Sequence, residues 1–209
     1  MVNSHVAHRL LRGVVVAGCV LLAVSPMVLG DELSKEERDA GFVSMFNGKD
    51  FTGWRFTGDA SPEKVSNWRV SDGVIHLTGG GRPHLGTEKA HGDFEMRFQW
   101  RALREKYNSG FFIRSGKDVG KNQINLAKGG EGRFLGGKLK GGKAVPELQM
   151  PSEKWNEWRV LVVGDKVKFW CNGKLAWEGT GLTPKEGHIG LQAEGAPMEF
   201  RKLRIREIK

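Results

Sequence analysis

Hydrophobic residues in this chain recur mostly at every second position, the spacing of a strand that buries one face. The clearest run is residues 94–101, where Phe94, Met96, Phe98 and Trp100 alternate with Glu95, Arg97, Gln99 and Arg101. Residues 67–77 hold two apolar runs around Asp72-Gly73, a pair that readily takes the positive φ angles of a tight hairpin turn. Further on, residues 158–163, 167–171 and 175–177 form a three-stranded meander punctuated by Gly164-Asp165 and Asn172-Gly173, and residues 188–192 and 198–205 add two closing strands. Within residues 159–163 the apolar side chains do not alternate with polar ones, which predicts a strand covered on both sides. Many short strands, frequent turns and no long amphipathic helix predict an all-β jelly-roll β-sandwich of two antiparallel sheets. A closed barrel is the alternative that periodicity alone does not separate.

The first thirty residues break this pattern. Residues 1–12 carry Arg9 and Arg12, residues 13–24 are apolar or small, and Val28, Leu29 and Gly30 precede a charged stretch at 31–39. This is the layout of a secretory signal peptide. The expected organisation is therefore a signal peptide over 1–30, a charged lead-in of one or two helical turns over 31–40, and one β-sandwich domain over 41–209. The apolar run is shorter than the ~20 residues that span a bilayer, so cleavage is favoured over a retained anchor. Lipidation at Cys19 is a third reading, disfavoured because the residues after it stay apolar. The expected product is exported, periplasmic or extracellular, with no membrane span after cleavage. Cleavage leaves Cys171 as the sole cysteine, which cannot form an internal disulfide and is expected to be a buried small hydrophobe.

Composition narrows the function classes. With 27% charged and 39% hydrophobic residues the chain is not a disordered one. Its 209 residues leave room, after cleavage, for one domain with a substantial core and not for a separate cofactor module. Removing Arg9 and Arg12 lowers the net charge from +9 to about +7. Acids are interspersed with the basic residues nearly everywhere except 117–143, so nucleic acid is not an expected partner. Residues 117–146, rich in Gly-Gly steps and lysines, read as a long mobile loop, either a solvated connector or the border of a binding site. Its charge suits attraction to acidic polysaccharide. No zinc-spaced Cys/His cluster, phosphate loop, dinucleotide fingerprint or nucleophile elbow occurs, which argues against nucleotide chemistry.

Strand parity sorts the polar residues by face. Asn108, Gly110, Phe112 and Arg114 fall on one side of their segment, opposite Ser109, Phe111 and Ile113. Gln123 and Asn125 lie opposite Ile124 and Leu126, and His188, Gly190, Gln192 and Glu194 lie opposite Ile189, Leu191 and Ala193. If the three segments share a sheet, their polar sides make a groove of planar amide and guanidinium groups, which can address several sugar hydroxyls at once. An ordinary solvent face is the competing reading. Trp54, Trp68, Trp100, Trp155 and Trp158 are assigned to core or turn packing, and His76, His84 and His91 to surface or loop roles.

Six segments, at residues 41–54, 67–75, 93–101, 108–114, 155–174 and 187–205, together resemble the 3-keto-disaccharide hydrolase domain family in order across the mature chain. That resemblance implies a concanavalin A-like fold, related in shape to laminarinase-type glycoside hydrolases and lectins, and a saccharide or 3-keto-glycoside as partner. It also implies cleavage of glycosides oxidised at C3, by loss of the C2 proton, expulsion of the C1 substituent and hydration. Such chemistry needs a base near C2, an acid near the leaving oxygen, and donors or a divalent metal ion to hold the enolate charge. Asn108, Ser109, Gly110, Arg114, Gln123 and Gln192 match the family's pattern. Lys121 and Leu126 stand where it has carboxylates, and Glu194 where it often has His. An enzyme using shifted groups would then take Glu194 or His188 as base and Arg114 to steady the enolate, with Asn108, Arg114, Gln123, Asn125 and Gln192 binding substrate. A sugar-binding module without catalysis and a purely structural sandwich are the other readings. The groove reading further expects Arg114→Ala to abolish function with little change in melting temperature.

Overall fold

The computed structural model describes residues 32–58 and 60–209, together with Met1. The export segment read in residues 1–30, Cys19 included, lies outside the described residues apart from Met1. A short helix α1 (Lys35–Asp39) is closed by a reciprocal cap in which Ser34 Oγ accepts from Glu37 N and Glu37 Oε2 accepts from Ser34 N. The strands that follow are β1 (Val43–Ser44), β2 (Trp54–Thr57), β3 (Trp68–Ser71), β4 (Val74–Leu77), β5 (His84–Thr87), β6 (Phe94–Ala102) and β7 (Gly110–Ser115). They continue with β8 (Gln123–Asn125), β9 (Phe134–Leu135), β10 (Asn156–Val163), β11 (Lys166–Cys171), β12 (Lys174–Thr180), β13 (His188–Leu191) and β14 (Met198–Glu207). One sheet runs β12-β11-β10-β6-β14-β4-β3, with β1 on β14, and the other runs β2-β5-β13-β7-β8-β9. All pairings are antiparallel, so the molecule is the two-sheet jelly-roll sandwich that the alternation predicts.

The inner faces meet through aromatic rings. Phe98 of β6 packs on Phe111 of β7 across the sandwich at 4.6 Å between centroids, and Trp158 meets Trp100 at 5.4 Å and Phe169 at 4.8 Å, both edge to face. Cys171 is free and buried in this core, and burial pushes its thiol up to about 12. The strand at 159–163 is not covered on both sides. Trp158, Val160 and Val162 point inward while Arg159 and Leu161 are half-buried and Val163 is 41% exposed, so β10 alternates like its neighbours and carries apolar residues on its outer face.

Residues 117–146 are not a free loop. They contain β8 and β9, Lys140 pairs its backbone with Thr180, and Trp177 Nε1 donates to Gly132 O at 2.9 Å. The outer face of the larger sheet is a charge network: Glu95, fully buried, accepts hydrogen bonds from Arg97, Arg159 and Arg206. Burial alone would raise the Glu95 carboxyl, but those three guanidinium groups outweigh it and hold it below the usual carboxylate range. On the same face the guanidinium groups of Arg101 and Arg201 stack on Trp155, at 4.5 Å and 3.9 Å from its ring.

Candidate functional site

The outer face of the smaller sheet gathers most of the residues that parity placed together. Gly190 sits opposite both Gly86 and Phe112, Phe112 opposite Gln123, and Gly110 opposite Asn125. Their neighbours Leu85, Leu191, Phe111 and Ile124 are fully buried in the core, which fixes the first set on the outer side. Gln192 continues this face beyond β13, held by its N–H donating to Gly110 O at 2.8 Å. Gln123 lies across β7 and its Nε2 donates to Gln192 Oε1 at 2.8 Å and to Ser109 O at 3.3 Å. A Cβ on residue 110 would fall 2.0 Å from that Nε2, so glycine is required for the two amides to meet. Ser109, facing inward, anchors the same strand through Oγ to Gln192 O at 2.7 Å. Asn125 is buried and donates to Gly130 O at 3.1 Å, while Asn108 is half-buried just before β7.

His84, expected in a surface or loop role, belongs to this face. It is 5% exposed at the start of β5 with its ring 5.6 Å from that of Phe112. Nδ1 accepts from Ala193 N at 3.1 Å, an arrangement that requires Nδ1 to be unprotonated and puts the ring proton on Nε2. Burial, reinforced by the Arg82 charge, lowers its pKa to about 4, so the imidazole is neutral at pH 7. The bond to Ala193 places His84 beside the residue between Gln192 and Glu194. Glu194 is half-buried in a turn closed by Ala196 N donating to its carbonyl at 2.6 Å. The sole sequence signal for His84 was its parity with Gly86, too common a pattern to single it out. His91 is also buried, with Nδ1 2.9 Å from Glu207 Oε1, and His76 is half-buried with Nδ1 3.0 Å from Glu199.

Arg114 does not lie on the face where alternation placed it. Phe112 pairs with Gly190 but Ser115 pairs with His188, so three steps of β7 match two of β13 and the strand bulges, with Arg114 at φ 42°. The extra residue turns Arg114 inward. Its guanidinium, fully buried, donates from Nε to Gly92 O at 2.8 Å, from Nη1 to Gly164 O at 2.5 Å and from Nη2 to Asp93 Oδ1 at 2.5 Å. Gly164 lies in the β10–β11 turn of the opposite sheet, so Arg114 ties the two sheets together. Burial lowers its pKa, and Asp93 works against that.

His188 is separated from the amide pair as well. It is half-buried, its Nδ1 donates to Thr87 O at 2.9 Å, and it stands four strand residues, about 13 Å, from Gln192. The face therefore joins Gln123, Gln192 and His84 at one end, with Asn125 and Phe112 alongside and Glu194 two residues beyond Gln192 in the chain, and leaves Arg114 and His188 elsewhere. Among the described residues no three His, Cys, Asp or Glu side chains cluster as metal ligands. With His84 Nδ1 accepting from a backbone N–H, its Nε2 carries the ring proton and does not present a lone pair to a metal ion.

A two-sheet jelly roll with a polar outer sheet face defines a concanavalin A-like protein of the lectin and glucanase type. The chain belongs to the 3-keto-alpha-glucoside-1,2-lyase-like domain family, whose model matches residues 41–206. It is similar to a 3-keto-disaccharide hydrolase of Bacteroides thetaiotaomicron, at 25% identity over 79% of this chain and 78% of that protein. In structure it resembles a protein of Parabacteroides distasonis provisionally classed as a glycosyl hydrolase, with a TM-score of 0.66 at 21% identity over 86% of this chain and 99% of the other. A carbohydrate-binding module of Bacillus subtilis follows, with a TM-score of 0.55 at 16% identity over 78% of this chain and 99% of the other. These structural likenesses establish the fold. No helix among the described residues is long and apolar enough to cross a membrane.

Proposed function

We propose that this carbohydrate-active protein cleaves 3-keto-glycosides on the outer face of its smaller sheet. The observation that carries the reading is the pair of facing amides beside a neutral imidazole that is bonded to Ala193, the neighbour of Glu194, on a chain whose family is named for that reaction. Glu194 takes the C2 proton, which the adjacent C3 ketone acidifies, and the C–H electrons form an enolate. The enolate oxygen accepts a hydrogen bond from His84 Nε2–H, a donor that burial keeps neutral. Collapse of the enolate restores the ketone, forms the C1–C2 double bond and expels the C1 oxygen, which leaves as an alcohol on taking the proton that Glu194 removed, and Glu194 returns to its carboxylate. Water then adds at C1 and a proton returns to C2, giving net hydrolysis. Gln123 and Gln192 hold ring hydroxyls in the plane of their amides.

The test is release of the aglycone from a 3-keto-glucoside by the full chain and by Glu194→Gln. The expected result is a fall in kcat of at least 100-fold with sugar binding retained. Because Arg114 and His188 lie away from the face, a binding module is the second reading, and wild-type binding without turnover would establish it. The export of the mature domain is part of this proposal, checked by N-terminal sequencing of protein recovered outside the cytoplasm, which should start near residue 31.

A further inference from the structure

At the edge of the same sheet, toward the other end of β7 from the amide pair, a cavity of about 450 Å³ opens between the end of β7, the start of β8 and the segment after β9. That volume lies within the range of small-molecule sites. Ser115, Lys121, Asn122, Gly137, Lys138 and Thr183 contribute to its lining, and no carboxylate does. The Arg114 guanidinium, though its residue borders the cavity, is committed to Gly92, Asp93 and Gly164. Lys121 and Lys138 are exposed and in no ion pair among the described residues, and the acids nearest in sequence, Asp118 and Glu186, are themselves exposed.

The wall is built rather than incidental. Asn122 is 3% exposed, and its Nδ2 donates to Arg114 O at 3.1 Å and Thr183 O at 2.8 Å. A Cβ on residue 137 would fall 2.1 Å from Asn122 Oδ1, so the facing segment stays bare and close. Gln123 pairs with Leu135, and residue 136 lies against Lys121, so the cavity borders the start of β8, while the amide pair sits over Gly110, five residues along β7 from Ser115, about 16 Å away.

We infer that this cavity is an anionic subsite, in which Lys121 and Lys138 receive a carboxylate or sulfate carried by one end of a saccharide whose other end lies over Gln123 and Gln192. The inference rests on the saccharide reading above and narrows its substrate class to acidic sugars. Two lysines, each a compact charge with rotatable donors, suit a tetrahedral or planar anion without dictating which.

Calorimetric titration of the full chain with three matched ligands tests it: a neutral 3-keto-glucotriose, the same sugar with a C6 carboxylate, and the same sugar with a 6-O-sulfate. At 50 mM NaCl at least one acidic ligand should bind 10-fold or more tightly than the neutral one, and which of them does so identifies the anion. Lys121→Gln/Lys138→Gln should erase that preference while keeping neutral binding and melting temperature. Lys154→Gln/Lys174→Gln, which removes equal charge from the opposite end of the other sheet, near the start of β10 and the β11–β12 turn, should leave it intact. Equal binding of all three ligands, or equal loss in both double variants, overturns the subsite and spares the saccharide reading. Absence of binding by all three overturns both.

Discussion

Gln123 reaches Gln192 across a backbone with no side chain at residue 110, and that one missing Cβ holds the face together. Gly110→Ala would push a flexible amide aside rather than strain the backbone, since the atom met is the far end of the Gln123 side chain. The expected outcome is at least a 10-fold loss of saccharide affinity by titration, with melting temperature shifted by only a few degrees. His84 makes a different prediction. Its folded pKa of about 4 lies below its ordinary 6.5, so between those values the unfolded chain binds a proton that the folded chain refuses. Stability is then complete above pH 6.5 and falls as pH drops toward 4, by up to about 2 kcal/mol between pH 7 and 5. His91, lowered chiefly by burial, acts in the same direction. Urea titrations at pH 7 and 5 should show the loss, and His84→Asn should reduce it; an unchanged difference would mean that the ring is not held neutral.

At the scale of the strand, the bulge in β7 decides what Arg114 does. A regular ladder would have carried its guanidinium onto the polar face, but the extra residue sends it between the sheets, where three acceptors wait. Arg114→Ala should therefore unfold the protein more easily, by about 3 kcal/mol or more in urea, because it strands Asp93 and two carbonyls and leaves a cavity. This reverses the expectation drawn from alternation, that loss of Arg114 would spare stability. Gly187 marks the same device: a Cβ there would meet the Arg114 carbonyl carbon at 2.5 Å and Ser115 O at 2.6 Å. No signal in residues 108–114 announces the bulge, since the register that creates it is set by the pairing of β7 with β13, 70 or more residues away.

Across the whole molecule, two sheets are held by an aromatic core inside and by a charge network over the larger sheet. Glu95 is the hub of that network, and Glu95→Gln would leave Arg97, Arg159 and Arg206 without their shared counter-charge. A loss of about 2 kcal/mol or more is expected, readable as a lower urea midpoint. Because the Glu95 carboxyl is held below its ordinary pKa, the contribution is present above about pH 4.5 and lost as pH falls further. Period-two alternation made the strands, the inward aromatics and the shared face of Gln123, Asn125, Gly190 and Gln192 legible from sequence, because side-chain direction along a strand is a local property of the backbone. The hairpin turns at Asp72-Gly73 and Asn172-Gly173 were legible for the same reason, each pair taking positive φ. Contacts between distant segments obey no local period. The tertiary structure alone decided that Arg114 would brace the interior, that His84 would meet Ala193 across more than a hundred residues, and that Lys121 and Lys138 would face a common cavity. Those outcomes depend on register, bulges and loop closure, which are fixed only when strands far apart in the chain pair.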